Sequence, residues 1–310
     1  MGAVDDPMSE LRGPDLLVIG AARAGTTALC RTLARHAEVY LTKPKETHFL
    51  SFAGEEVRFT GPGDDEMINQ VVVTEPDRWR QLCATAQAHT YRCDGSVSTL
   101  FYYERSIGNI RTYVGDRARM IVSLREPVQR AFSSYLYLTS RGYETAPTFD
   151  AALADEVRRR DEGWHHLWQY EAMSHYGPQL SAFVDAFGRD ALFVFTHDEF
   201  RRERHDLLTR LGRWLDLDPG PMLADQSEVN TGGVPKSSLL QNAIRRARSS
   251  WVQPIVKRAT SEQFREKVRT SNLERPELDV ELRKTLAKRF SADVDVVEEI
   301  IGRSLPTWRG

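Results

Sequence analysis

The sequence is poor in cysteine. Cys30, Cys83 and Cys93 are the only ones in 310 residues, and no two form a CxxC pair. An odd, scattered set supplies neither a disulfide framework nor a zinc site. No metal is therefore expected, and a reducing compartment fits best. Cys30 reads as a small core residue on a helix. Also missing is any apolar run near the ~20 residues that a membrane helix needs. Residues 1–14 carry Asp5, Asp6 and Glu10 and no apolar h-region, which argues against a secretory signal. They are expected to be a disordered tail, and the protein to be cytoplasmic. Finally, the chain has no excess charge of either sign. Lys and Arg total 42 against 44 Asp and Glu, a net charge of -2. Nothing draws the whole chain to nucleic acid or an anionic membrane, so any anion must be held by a local cluster of cations.

What is present begins at residues 16–19, Leu-Leu-Val-Ile, a short continuous apolar run of the kind a buried parallel strand shows. It leads into a glycine-bounded loop, and residues 26–36 then read as a helix with Leu29, Leu33 and Ala37 on one face. Such a strand, loop and helix make a phosphate cradle, with backbone N–H groups and the helix dipole aimed at an anion. An ATP-type loop needs Gly, four residues, then Gly-Lys-Ser/Thr. Here Gly20, four residues and Gly25 are followed by Thr26 and Thr27, and the lysine is absent. Arg23 is the loop's one cation. Arg23, the threonine hydroxyls and the amides of Ala24, Gly25, Thr26 and Thr27 are candidate phosphate ligands. The bland alternative is a plain strand–helix turn with Thr as N-cap.

Further short strands are predicted over 39–41, 91–94, 120–124 and 191–196. Helices are predicted over 76–88, 128–139, 149–160, 171–187, 205–215, 239–247, 281–290 and 294–301. Residues 52–65, rich in Gly, Asp and Glu, read as a surface insertion. The alternation predicts an α/β fold: a P-loop-type, three-layer α/β/α arrangement around a central parallel sheet. No linker divides residues 15–310, so a single domain is expected.

Other constellations could carry chemistry. Arg125 follows the strand over 120–124, where open α/β sheets place ligands. Ser133 lies eight residues on, about two turns along the next helix. Where an ATPase strand would end in an Asp that helps hold magnesium, this one ends in Arg, which suits a second anionic group. Alternatively, Arg125 pairs with Glu126 and Ser133 faces solvent. In Lys43-Pro-Lys45-Glu46-Thr47-His48, Glu46 and His48 are two candidate general bases, with Lys43 and Lys45 to hold anions nearby; a charged surface loop is the alternative. Tyr176 is either a nucleotide-pocket wall or a core aromatic. Lys236, beside Ser237 and Ser238, sits in a loop that would close over the nucleotide. Trp164, His165, His166 and Trp168 form either part of an acceptor pocket or a partly buried helix face.

Taken together, these residues resemble the sulfotransferases that use 3′-phosphoadenosine-5′-phosphosulfate (PAPS). The closer resemblance is to the heparan sulfate branch and its bacterial relatives. It lies in Arg23-Ala-Gly25-Thr26-Thr27-Ala-Leu29, in Lys45-Glu46-Thr47-His48-Phe49-Leu50, and in Arg125 with Ser133. Tyr176-Gly-Pro-Gln-Leu180, residues 190–195 and Leu305-Pro-Thr-Trp308 also fit. The resemblance implies that the loop holds the 5′-phosphosulfate, that Arg125 and Ser133 take the 3′-phosphate, and that Glu46 is the base. It further implies metal-independent, in-line sulfuryl transfer to a hydroxyl or amine of a small-molecule, glycan or lipid-like acceptor, with His48 assisting. The product would be 3′,5′-adenosine diphosphate (PAP). Arg23 departs from the family pattern, standing in for a loop lysine. Arginine stays charged and does not readily give a proton to a leaving oxygen. The rival readings are a kinase-like enzyme using ATP and magnesium, and a non-catalytic nucleotide-binding protein.

Overall fold

Leu16–Gly20 (β1) is buried along its whole length. A strand buried on both faces must occupy the middle of a sheet covered on both sides, and β1 does. A computed structural model describes residues 11–224, 234–235, 273–274 and 277–309. In it, β1 is flanked by Tyr91–Asp94 (β3) and Arg119–Leu124 (β4), with Val39–Leu41 (β2) and Leu192–Thr196 (β5) outermost. The order is β2-β3-β1-β4-β5. All four pairings are parallel.

Side chains alternate across the sheet, as strand geometry requires. On one face Leu17, Ile19, Met120, Val122 and Val194 pack against three helices: Tyr103–Tyr113 (α2), Tyr176–Phe187 (α4) and Ser291–Ile301 (α7). On the other, Leu16, Val18, Ile121 and Phe195 meet Thr26–Leu33 (α1) and Arg204–Leu215 (α5). Those helices form the outer layers of a three-layer α/β/α fold. A third cluster joins Pro127–Ser140 (α3) to Val280–Arg289 (α6) through Val128, Leu138, Leu286 and Phe290.

Some elements differ from the sequence expectation. The first helix ends at Leu33 rather than at residue 36. Residues 171–187 are not one helix: a short 3-10 turn covers Ala172–Ser174, and α4 starts at Tyr176. The stretch over 52–65 is not merely superficial, because Asp64 is fully buried. Its carboxylate accepts from Gly61 N at 2.8 Å, His165 N at 3.0 Å and Trp168 Nε1 at 2.9 Å. Lys236 and the helix expected over 239–247 lie outside the described residues.

Candidate functional site

The C-terminal ends of β1, β3, β4 and β5 converge at the loop after β1. Within that loop Arg23 has φ 69° and Gly25 φ 85°, both in the left-handed region. Only glycine adopts that region at no steric cost. At Gly25 there is a second reason for its choice: a Cβ would come within 2.9 Å of His197 Cδ2. Ser123 of β4 pins the loop from below. Its carbonyl accepts from Ala21 N at 2.7 Å, and its hydroxyl donates to the Ala24 carbonyl at 2.6 Å. Gly25 then N-caps α1 with no side-chain cap, which leaves the helix's first amides without a protein side-chain acceptor. Free N–H groups at a helix start favour an anion.

Two guanidiniums meet at this loop. Arg125 Nη1 donates to the Arg23 carbonyl at 3.3 Å. Among the described residues neither arginine has a carboxylate partner, and the Nε of each is buried without a hydrogen-bond acceptor. Glu126 forms no ion pair with Arg125, although its charge and that of Asp198 partly offset burial there. Its carboxylate instead caps α3, accepting from Val128 N at 3.1 Å and Gln129 N at 2.8 Å. Burial lowers the Arg23 pKa to about 10, with Tyr137 opposing and Arg125 and Arg141 adding to the fall. Arg125 is lowered as well, chiefly by burial. Cations removed from water without a direct ion-pair partner are costly and are relieved by an anion.

Ser133 lies two turns into α3, and Tyr137 one turn further on the same face. The Arg23 guanidinium sits over the Tyr137 ring, 4.3 Å from its centroid. Tyr176 is fully buried, and its hydroxyl donates to the Arg125 carbonyl at 3.0 Å. It thus fixes the backbone that carries Arg125, while its ring belongs to the core.

The second strand end carries Glu46. Lys45 Nζ lies 2.6 Å from Glu46 Oε1 and donates to the Gly95 carbonyl at 2.9 Å. His48 Nε2 is 3.9 Å from Glu46 Oε2. Burial would raise the Glu46 pKa, but Lys45, His48 and Arg23 outweigh it and hold the carboxyl below its ordinary value. Burial dominates at His48 and pushes its pKa down despite Glu46 and Asp94. The other ring nitrogen, His48 Nδ1, is 2.8 Å from Ser98 Oγ, which is 2.9 Å from Ser51 Oγ.

Sequence reasoning missed Asp94, Ser123 and His197. Asp94 ends β3 and accepts from the hydroxyls of Thr47 and Ser96 and from Trp79 Nε1. It therefore ties the Glu46 segment to the sheet. His197 follows β5 and lies against Gly25; burial, helped by Arg125, lowers its pKa to about 4. Strand-end position, the signal that marked Arg125, also marks Asp94 and His197.

The same architecture recurs in a solved sulfotransferase from Alicyclobacillus acidocaldarius. The two align over 96% of this chain and 99% of that one, with TM-score 0.71 and 26% identity. The chain is thus similar to a sulfotransferase in both fold and sequence. A curated relative, the bifunctional heparan sulfate N-deacetylase/N-sulfotransferase 1 of Caenorhabditis elegans, is 24% identical in an alignment that covers 67% of this chain. The chain spans only 22% of that relative's length. No family model matches it.

Proposed function

We propose that the chain transfers a sulfuryl group from PAPS to a hydroxyl or amine of an acceptor. The observation that carries this reading is the pair of guanidiniums, Arg23 and Arg125, without an ion-pair partner among the described residues and joined at a glycine loop that opens a helix. Two separated anionic groups, a phosphosulfate and a 3′-phosphate, suit two such cations better than one chain of phosphates does. The loop amides and Arg23 hold the first group. Arg125 and Ser133 hold the second, with Tyr176 fixing Arg125. Lys236 and Lys43 remain candidate anion contacts.

PAPS supplies an activated sulfur whose bond to the bridging phosphate oxygen breaks. Glu46 takes the acceptor proton as the acceptor atom bonds to sulfur. Its carboxyl is ionised at neutral pH and so is ready to accept that proton. Charge grows on the bridging oxygen, where Arg23 and the amides of Ala24, Gly25, Thr26 and Thr27 stabilise it without proton transfer. Neutral His48 lies beside Glu46 and contributes a polar contact. A kinase-like reading fits less well, because β4 ends in Arg125 and the adjacent carboxylate is committed to a helix cap.

Thermal shift with PAP, with ATP and with ATP plus magnesium tests the donor. A rise in Tm with PAP alone is expected; a rise that needs ATP and magnesium would overturn the reading.

A further inference from the structure

His48 is held at two points by the segment that follows β3. Its backbone has φ 56°, in the left-handed region that is strained for a residue other than glycine. His48 N donates to Ser96 Oγ at 2.9 Å and so pins that backbone. On the ring, Nδ1 lies 2.8 Å from Ser98 Oγ, which lies 2.9 Å from Ser51 Oγ. Ser51 and Ser98 are fully buried, so their hydroxyl protons must be received by protein groups.

Counting donors fixes the direction of these bonds. Each hydroxyl has one proton to give. Ser98 Oγ is the one hydrogen-bond partner of the Ser51 hydroxyl among the described residues, so Ser51 donates to Ser98. Ser98 then gives its own proton to its remaining neighbour, His48 Nδ1. Every other arrangement leaves a hydroxyl proton buried and unpaired, which is costly. It is that of Ser51 if the chain of bonds runs the other way, and that of Ser98 if both neighbours donate to it. Burial keeps the ring neutral at neutral pH, and a neutral imidazole that accepts at Nδ1 carries its proton at Nε2. A second argument gives the same tautomer. Nε2 lies 3.9 Å from Glu46 Oε2, where an N–H is attracted by the carboxylate and a lone pair would be repelled.

We infer that Ser51 and Ser98 are positioning residues that hold His48 as its Nε2–H tautomer, presenting a fixed hydrogen-bond donor beside Glu46. The role of that donor in turnover rests on the sulfuryl-transfer reading above; the tautomer does not. Lys45 holds Glu46 Oε1 at 2.6 Å, so Oε2, beside the donor, is the oxygen that receives a proton. The 3.9 Å between Nε2 and Oε2 is too long for a direct bond, and an oxygen ~2.8 Å from each fits the gap. A water placed there accepts from His48 and donates to Glu46, and both contacts orient it. Because Nε2 already bears a proton, His48 does not compete for the one released, and Glu46 remains the base. In transfer to water, an O–H bond breaks and its proton passes to Oε2. The water oxygen bonds to sulfur, and the sulfur–bridging-oxygen bond breaks, its electron pair leaving on PAP.

The test uses the full chain labelled with nitrogen-15, with His48→Asn identifying the His48 signals. Proton–nitrogen correlation spectra tell a protonated ring nitrogen from a bare one. The wild-type ring is expected to carry its proton at Nε2; a proton at Nδ1 overturns the inference, whether or not any variant folds. Ser98→Ala should move the Nδ1 resonance to that of a nitrogen without a hydrogen bond, and an unmoved resonance overturns the inference as well. PAP formation from PAPS, with water as the acceptor, reads the role in turnover. Ser98→Ala should lower kcat by roughly 2- to 10-fold while keeping the KM for PAPS and the wild-type Tm shift with PAP. Ser98→Thr, which keeps the hydroxyl, should restore kcat. A wild-type kcat in folded Ser98→Ala overturns the positioning role. Absence of any shift with PAP overturns the donor reading alone, since the spectra judge the tautomer without it.

Discussion

The Arg23 guanidinium rests on the face of Tyr137, 4.3 Å from the ring centroid. Arg141 approaches the same ring at 4.4 Å. A loop cation with no carboxylate partner among the described residues is thus oriented by an aromatic face, which fixes its position without neutralising its charge. Cation–π contacts contribute about 0.5–2 kcal/mol. Tyr137→Leu should therefore lower kcat by roughly 2- to 30-fold. PAP affinity should change less, because Arg125 and the loop amides are untouched. Single-turnover kinetics alongside PAP titration measures both.

For Glu46→Gln, turnover should fall by roughly 10²–10⁴-fold with PAP binding retained. The pH dependence follows from the sign of the shift. The Glu46 pKa is lowered from 4.5, so the base is ionised above that value and is lost only as pH falls through a lower one. The pKa of His48 is lowered from 6.5, so it stays neutral near pH 7. A kcat/KM profile should therefore run flat from pH 7.5 to 5.5 and drop below 4.5. A step below 6.5 but above 4.5 would instead make His48 the titrating group.

Removing Arg125 should weaken PAP more than 5′-AMP, since only PAP carries the 3′-phosphate. Hydrogen bonds to charged groups contribute about 1.5–3 kcal/mol, so Arg125→Ala should cost roughly 10- to 150-fold in PAP affinity. Ser133→Ala, which removes a neutral donor, should cost roughly 2- to 10-fold. Calorimetric titration with the two nucleotides separates these effects. Equal losses for both would remove Arg125 from the 3′-phosphate.

Asp94 is a stability prediction. Its buried carboxylate serves Thr47, Ser96 and Trp79 together. Asp94→Ala leaves three buried donors unpaired, at about 1–3 kcal/mol for each that water cannot reach. A loss of about 2–4 kcal/mol is expected after partial relaxation, or roughly 4–16 °C in Tm. Activity should fall even where the protein stays folded, because the Glu46 segment loses its tie to β3. Thermal melts and turnover at a temperature well below the melt measure the two losses.

The parts of the fold that were legible in the sequence are those where pattern and chemistry coincide. The run from Leu16 to Ile19 is apolar because it is buried on both faces, and the glycines after it mark a backbone that must turn. α2 escaped notice for the opposite reason. Only Ser106 and Ile110 are buried along Tyr103–Tyr113, so its apolar stripe is too thin to stand out. Arg125 could be singled out because it ends a strand. What it contacts could not, since the bond to the Arg23 carbonyl joins residues 102 apart in the chain. The fate of Tyr176 was likewise set by a distant carbonyl, whereas Glu126 caps its own helix through Val128 and Gln129 close by. His166 meets His48 directly, far along the chain, with Phe101 and Tyr102 packed beside it.

Of the groups proposed to hold the donor, Arg23 and Arg125 lie just beyond β1 and β4, whereas Ser133 lies two turns into α3. Ser123 and Asp94, which tie this region down, belong to the sheet strands themselves. The sheet therefore sets this frame before any peripheral segment is added, and grafting a different outer segment onto it should leave the wild-type Tm shift with PAP intact.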